Sequence, residues 1–81
     1  MGDENLTTEL VLQAQNGEAA AFEQLSRRYL RPAYSVALAI VGRAADAEDV
    51  AQDAFVLALQ HIESCREPER FVGWFLQIVR N

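Results

Sequence analysis

The sequence predicts an all-α fold, a compact bundle of about five helices. Apolar residues recur at helical spacing in every long segment, and no segment alternates with the period of two that a strand requires. Asn16-Gly17, Pro32, Gly42 and Pro68 separate these segments. With 81 residues, 51% of them hydrophobic, the chain has the length and composition of one small globular domain.

The first helix is expected to follow a polar start. Residues 1–6 are expected to be frayed, and Thr7 or Thr8 can cap a short helix through a side-chain oxygen. Asn16-Gly17 ends this helix, since both residues tolerate the left-handed conformation that follows a helix.

Pro32 divides the next stretch into a second and a third helix. The second runs from about Glu18 to Tyr29, and the third from about Pro32 to Val41, because proline cannot continue the hydrogen-bond ladder but suits a first turn. The third helix is apolar on nearly all sides, which is typical of a helix in a core. Gly42 ends it.

The fourth helix, over residues 46–62 with Asp46 as its cap, is the element around which the chain is organised. Helical geometry turns a broad apolar arc inward, made of Ala47, Val50, Ala51, Ala54, Phe55, Leu57, Ala58, Leu59 and Ile62. We call the opposite side the acidic strip; it consists of Asp49, Gln52, Asp53, Val56 and Gln60, with Glu63 beyond its end. An acidic surface with an apolar centre suits a basic partner helix. The alternative is an ordinary solvated helix face.

The fifth helix opens at Pro68-Glu69. Phe71, Trp74, Phe75, Ile78 and Val79 follow at i, i+3, i+4, i+7 and i+8, which predicts a strongly amphipathic helix. Trp74 and Phe55 are expected to be buried, with Leu38 near them. The periodic pattern is still running at Asn81, so the natural chain is expected to continue this helix.

Charge and composition exclude several functions. The net charge is −5 and all seven basic residues are arginine, which argues against general affinity for phosphate backbones. No metal-ligand cluster, phosphate loop or catalytic constellation is visible, so we expect neither an enzyme nor a cofactor. No signal peptide or membrane-spanning run is visible, so a cytoplasmic protein without membrane insertion is expected. Cys65, the only cysteine, lies beside Arg66, whose charge would acidify the thiol mildly. The alternative, a bystander cysteine, is favoured.

Two segments carry a family resemblance. DAEDVAQDAFVLAL (46–59) and, after a short loop, RFVGWFLQIVRN (70–81) closely resemble region 2 of bacterial RNA polymerase sigma factors, especially the extracytoplasmic-function (ECF) group. The segment over residues 16–42 also fits the opening helices of that group. The resemblance implies one region 2 domain over residues 1–81, with a C-terminal domain that reads the −35 element lying outside this chain.

The resemblance also implies partners and sites. The acidic strip would bind the coiled coil of the polymerase β′ subunit, and an anti-sigma factor is a further expected partner. The loop over residues 64–70 and the outer face of the last helix would recognise and melt the −10 promoter element, with a base of the non-template strand flipped into the loop. The matching nucleic-acid-binding positions are Ser64, Cys65, Arg66, Arg70, Gln77, Arg80 and Asn81.

The sequence departs from the family pattern at the loop and the last helix. Cys65 stands where a phenylalanine is frequent, and Leu76-Gln77 stands where Tyr-Arg is frequent. Glu63, Glu67 and Glu69 would repel phosphate. These departures favour an alternative, a sigma-like interaction module that binds an anti-sigma factor or polymerase without reading DNA. An unrelated helical adaptor is the third possibility.

Overall fold

The computed structural model describes the backbone of residues 2–81 and the side chains of residues 5–81. Within these residues, four α-helices follow one another: α1 (Gly2–Gln15), α2 (Ala19–Val41), α3 (Ala44–Gln60) and α4 (Phe71–Arg80). Between α3 and α4, two 3-10 turns, Ile62–Ser64 and Pro68–Arg70, shape the loop. The described residues contain no strand, so the predicted all-α fold is confirmed, with four α-helices where about five were expected.

The first helix starts earlier than predicted. Its backbone is helical from Gly2, upstream of the proposed threonine caps. Met1 and the side chains of residues 2–4, on which part of the expected frayed start falls, lie outside the described residues.

The predicted break at Pro32 is wrong, because α2 continues through it. Proline removes one backbone hydrogen bond from the helix interior, a cost of about 3 kcal/mol. Burial on both sides of Pro32 offsets this cost: Leu25 before it and Ala33 and Ala37 after it are fully buried. Packing of a continuous apolar stripe therefore overrides the local preference for a break.

The third helix begins at Ala44, and Arg43 occupies the cap position that was predicted for Asp46. Gly42 ends α2 in the left-handed conformation, with φ +77°, and its N–H donates to the carbonyl oxygen of Leu38 at 2.9 Å. Only two residues then separate the helices. Asp46 instead lies in the first turn, where its carboxylate is favourable near the positive end of the helix dipole.

An aromatic stack forms the centre of the core. The ring of Phe75 lies 4.5 Å from that of Phe55 and 5.7 Å from that of Phe71, measured between centroids. Phe55 is buried as predicted, but Trp74 is only half-buried, as is Leu38. The reason is angular: Phe71, Phe75 and Val79 repeat every four residues along the core face of α4, whereas Trp74 lies at its flank.

The apolar arc of α3 is also narrower than predicted. Leu57 and Leu59 are 44% and 51% exposed, and Val50 is half-buried. Neighbouring elements cover only part of α3, and four alanines, at positions 47, 51, 54 and 58, fill most of that covered face. Among the described residues, no helix is both long and apolar enough to cross a membrane.

Candidate functional surfaces

The acidic strip runs along the exposed side of α3. All five of its side chains are exposed, as helical geometry predicts, and Val56 is 55% exposed. Within the described part of the chain, Asp49 and Asp53 have no hydrogen-bond or ion-pair partner. Their like charges lie one turn apart and repel each other weakly. The strip therefore combines unpartnered negative charge with an exposed apolar side chain.

A groove of about 350 Å³ between α2 and α3 adjoins the acidic strip, because Gln52 belongs to both. Its other lining residues are Leu30, Arg31, Tyr34, Glu48 and Ala51. Leu30 is 51% exposed and adds apolar surface from a second helix. The sequence analysis missed this contribution of Leu30. Its position off the buried stripe of α2 could have indicated that its side chain is exposed.

A second concavity, which we call the loop depression, has a volume of about 460 Å³ and lies between the loop and α4. It is lined by Ser64, Cys65, Arg66, Glu67, Arg70, Gly73 and Trp74. The structure thus brings together four residues that the sequence predicted as nucleic-acid-binding, at positions 64, 65, 66 and 70. Trp74 supplies an aromatic wall, and its ring packs on that of Phe71 at 5.8 Å.

Cys65 is the buried member of this group, at 2% exposure. Its thiol donates a hydrogen bond to the carbonyl oxygen of Glu67, with a sulfur–oxygen distance of 3.7 Å. Burial raises the pKa of the Cys65 thiol, and the carboxylates of Glu69 and Glu67 raise it further. This direction is opposite to the acidification considered from Arg66. A neutral, buried thiol is a packing group, and its side chain offers little surface to a ligand.

The charge of the loop is mixed. Arg70 Nε lies 3.3 Å from Glu67 Oε1, and both side chains are largely exposed, so solvent weakens the pair. Arg66 makes no ion pair within the described residues, and Glu63 and Glu69 are exposed. The depression therefore has only a modest attraction for phosphate.

The outer face of α4 extends from the loop depression. Gly73, Gln77 and Arg80 recur at i, i+4 and i+7 and are exposed, and Asn81 is exposed at the end of the helix. A Cβ added at Gly73 would meet no atom within 4 Å, so packing inside this chain does not require glycine there. Glycine in a helix interior costs about 0.5–1 kcal/mol relative to alanine. A bare backbone on an exposed face suits close approach by a ligand.

The remaining polar side chains are scattered over the part of the chain that the structure describes. Among the described residues, no three His, Cys, Asp or Glu side chains are grouped to hold a metal ion. His61, the only histidine, is exposed where α3 ends. The acidic strip and the loop depression are therefore the two surfaces to explain.

Comparison with known proteins gives one consistent family. Residues 25–81 match the Sigma-70 region 2 family. The chain is 39% identical to the ECF RNA polymerase sigma factor BldN of Streptomyces coelicolor, over 90% of this chain and 28% of that protein. It is 30% identical to the ECF RNA polymerase sigma factor SigW of Bacillus subtilis, over 88% of this chain and 38% of that protein. It is 32% identical to the RNA polymerase sigma-H factor of Pseudomonas aeruginosa, over 90% and 38% respectively.

The chain thus spans between 28% and 38% of the length of these three relatives. No solved structure matches it.

Proposed function

Because this chain belongs to the sigma-70 region 2 family, as a domain of the ECF group, we propose that it binds RNA polymerase core and opens the −10 promoter element. Such a domain is a transcription initiation factor and not an enzyme, since the polymerase carries out the bond-forming chemistry. The observation that carries the proposal is the acidic strip, in which two exposed carboxylates without a partner among the described residues lie beside the exposed Val56.

The acidic strip is proposed to bind the coiled coil of the β′ subunit. Arginines of the coiled coil would pair with Asp49 and Asp53, relieving their mutual repulsion, and apolar side chains would contact Val56. The adjoining groove supports this role, because Leu30 extends the apolar surface to α2 and Gln52 joins the two parts. An anti-sigma factor is the other partner expected for the ECF group. It would compete with the β′ coiled coil wherever it covers the same surface.

The loop depression is proposed to receive a base of the −10 element flipped from the non-template strand. Its volume of about 460 Å³ and the indole of Trp74 provide space and a surface on which a base can stack. The guanidinium groups of Arg66, Arg70 and Arg80 would contact phosphates of the bound strand. Gln77 and Asn81 have amides that can hydrogen-bond base edges.

We expect single-stranded DNA to bind this chain more tightly than duplex DNA. The net charge of −5 disfavours binding of a continuous phosphate backbone, whereas a flipped base gains stacking on an aromatic ring.

Gly73→Ala should weaken single-strand binding about tenfold, because the added methyl group fills the surface beside the depression. The same change should raise the free energy of unfolding by about 0.4–1 kcal/mol. Trp74 is the only tryptophan, so quenching of its fluorescence by a short randomised single strand reports binding directly.

Ser35→Ala is the matched control. Ser35 is exposed on α2, and the change adds helix propensity without altering α4 or the loop, so single-strand affinity should not change. Duplex binding as tight as single-strand binding would contradict the −10 assignment. Absence of DNA binding alongside intact β′ binding would favour the interaction module that does not read DNA. Equal affinities of the parent and Gly73→Ala would remove Gly73 from the contact surface.

A further inference from the structure

We propose that Gln15, the last residue of α1, is a positioning residue for the loop depression, and this inference rests on the DNA-binding role proposed above. Gln15 Nε2 donates one hydrogen bond to the carbonyl oxygen of Ile62 at 3.0 Å and another to that of Cys65 at 2.8 Å. A primary amide carries two hydrogens on one nitrogen, so one group can bridge both carbonyls. Gln15 lies outside the residues that match the family, and no sequence motif points to it.

The bridged carbonyls belong to Ile62 and Cys65, whose side chains are buried and whose backbones are joined by one short turn. The turn Ile62–Ser64 is a single 3-10 turn, in which the Ser64 N–H donates to His61 at 2.8 Å and the Cys65 N–H donates to Ile62 at 3.1 Å. Such a short 3-10 segment has poor hydrogen-bond geometry and little stability of its own. The Ile62 carbonyl oxygen accepts from both Cys65 and Gln15, so the amide of Gln15 ties this turn to α1.

The two hydrogen bonds act on the wall of the depression directly. Cys65 lines the depression, and so do its two neighbours in the chain, Ser64 and Arg66. Because both carbonyls are fixed to one nitrogen, the distance between Ile62 and Cys65 along the loop is restricted. The backbone that presents Ser64 and Arg66 is therefore held in one path before any ligand arrives, which lowers the ordering cost of binding.

A second contact of α1, at Thr7 near the middle of the helix, leads toward the opposite wall. Thr7 Oγ1 and the hydroxyl of Tyr29 form a hydrogen bond, and the ring of Tyr29 lies 5.7 Å from that of Phe71. Phe71 in turn packs on Trp74, with centroids 5.8 Å apart. α1 thus contacts the loop directly through Gln15, whereas Thr7 is linked to the indole of Trp74 only through the rings of Tyr29 and Phe71.

The test compares Gln15→Met with Gln13→Met in the 81-residue chain. Methionine keeps the length of the side chain but donates no hydrogen bond, and Gln13 is exposed on the same helix. Loss of the bridge should accelerate hydrogen exchange at the Ser64 and Cys65 amides about tenfold and weaken binding of a short randomised single-stranded DNA by a similar factor. Exchange in α3 and binding of the β′ coiled coil should not change. Gln13→Met should leave every readout unchanged.

Gln15→Glu is the second variant, since it keeps a polar side chain of the same size but presents no N–H to the two carbonyls at neutral pH. It should reproduce the effects of Gln15→Met. Unchanged exchange at Ser64 and Cys65 in either variant would overturn the proposal, as would equal acceleration throughout α3, which would make Gln15 a general stability residue. If the parent chain binds no single-stranded DNA, the proposed function fails in its DNA part, while the exchange data still decide whether Gln15 orders the loop.

Discussion

Reversing both charges of the acidic strip, by Asp49→Arg with Asp53→Arg, is expected to weaken binding of the β′ coiled coil by about 2–4 kcal/mol. Attractive pairs become opposed charges at the same distance, and the exposed Val56 alone cannot compensate. Folding should not suffer, because both side chains are exposed and neither has a partner within the described residues. Calorimetric titration of a β′ coiled-coil fragment measures the loss, with circular dichroism to verify helicity.

The control for this pair is Glu9→Arg with Glu23→Arg. It changes the net charge by the same amount on exposed positions of α1 and α2. Among the described residues, the only ion pair that it disrupts is the exposed one between Glu23 and Arg27. Both double variants would reduce the long-range attraction to a basic coiled coil equally. A difference in affinity between them therefore reports a local contact at the acidic strip. Equal affinities of the two double variants would remove the acidic strip from the mechanism. Loss of helicity in Asp49→Arg with Asp53→Arg would instead show that the two aspartates are structural.

Replacing the centre of the aromatic stack, by Phe75→Ala, is expected to lower the free energy of unfolding by about 3–5 kcal/mol. Phe75 is fully buried and its ring packs on Phe55 of α3 and on Phe71 of its own helix, so its removal opens a cavity in the centre of the core. A domain of this length has a total stability of roughly 4–12 kcal/mol, so the variant approaches complete unfolding. Urea denaturation followed by circular dichroism provides the measurement.

Trp74→Ala is the comparison for this variant. Trp74 is half-buried at the edge of the stack, so its truncation should cost clearly less than Phe75→Ala despite the larger side chain. An equal or greater cost at Trp74 would mean that the indole, and not Phe75, anchors the core.

The acidic strip could be predicted because it depends on one helix only. Once residues 46–62 form a helix, the angles between Asp49, Asp53 and Val56 follow from its geometry. The exposure of Leu57 and Leu59 could not be predicted in this way, since it depends on how much of α3 its neighbours cover. Hydrophobic character indicates that a residue can be buried and does not specify which neighbour buries it.

Pro32 and Cys65 show the same difference between what local sequence predicts and what tertiary packing decides. The local chemistry of proline predicts a helix end, but the buried residues on either side of Pro32 depend on tertiary packing that the local sequence does not encode. Cys65 was placed correctly in the loop, yet its burial and its raised pKa depend on how the loop folds back on the helices. Gln15 reaches carbonyls 47 and 50 residues further along the chain, and no short-range pattern predicts such a contact.

The binding surface on α3 can be mapped most directly by nuclear magnetic resonance. Unlabelled β′ coiled coil is titrated into isotope-labelled chain, and the backbone amide shifts are followed residue by residue. Binding through the acidic strip predicts that the largest changes occur from Asp49 to Gln60, on its exposed side, and at Leu30 beside the groove, with the amides of residues 64–70 nearly unchanged. Changes confined to the loop or to the buried side of α3, or no change at saturating concentrations, would contradict polymerase binding by this surface.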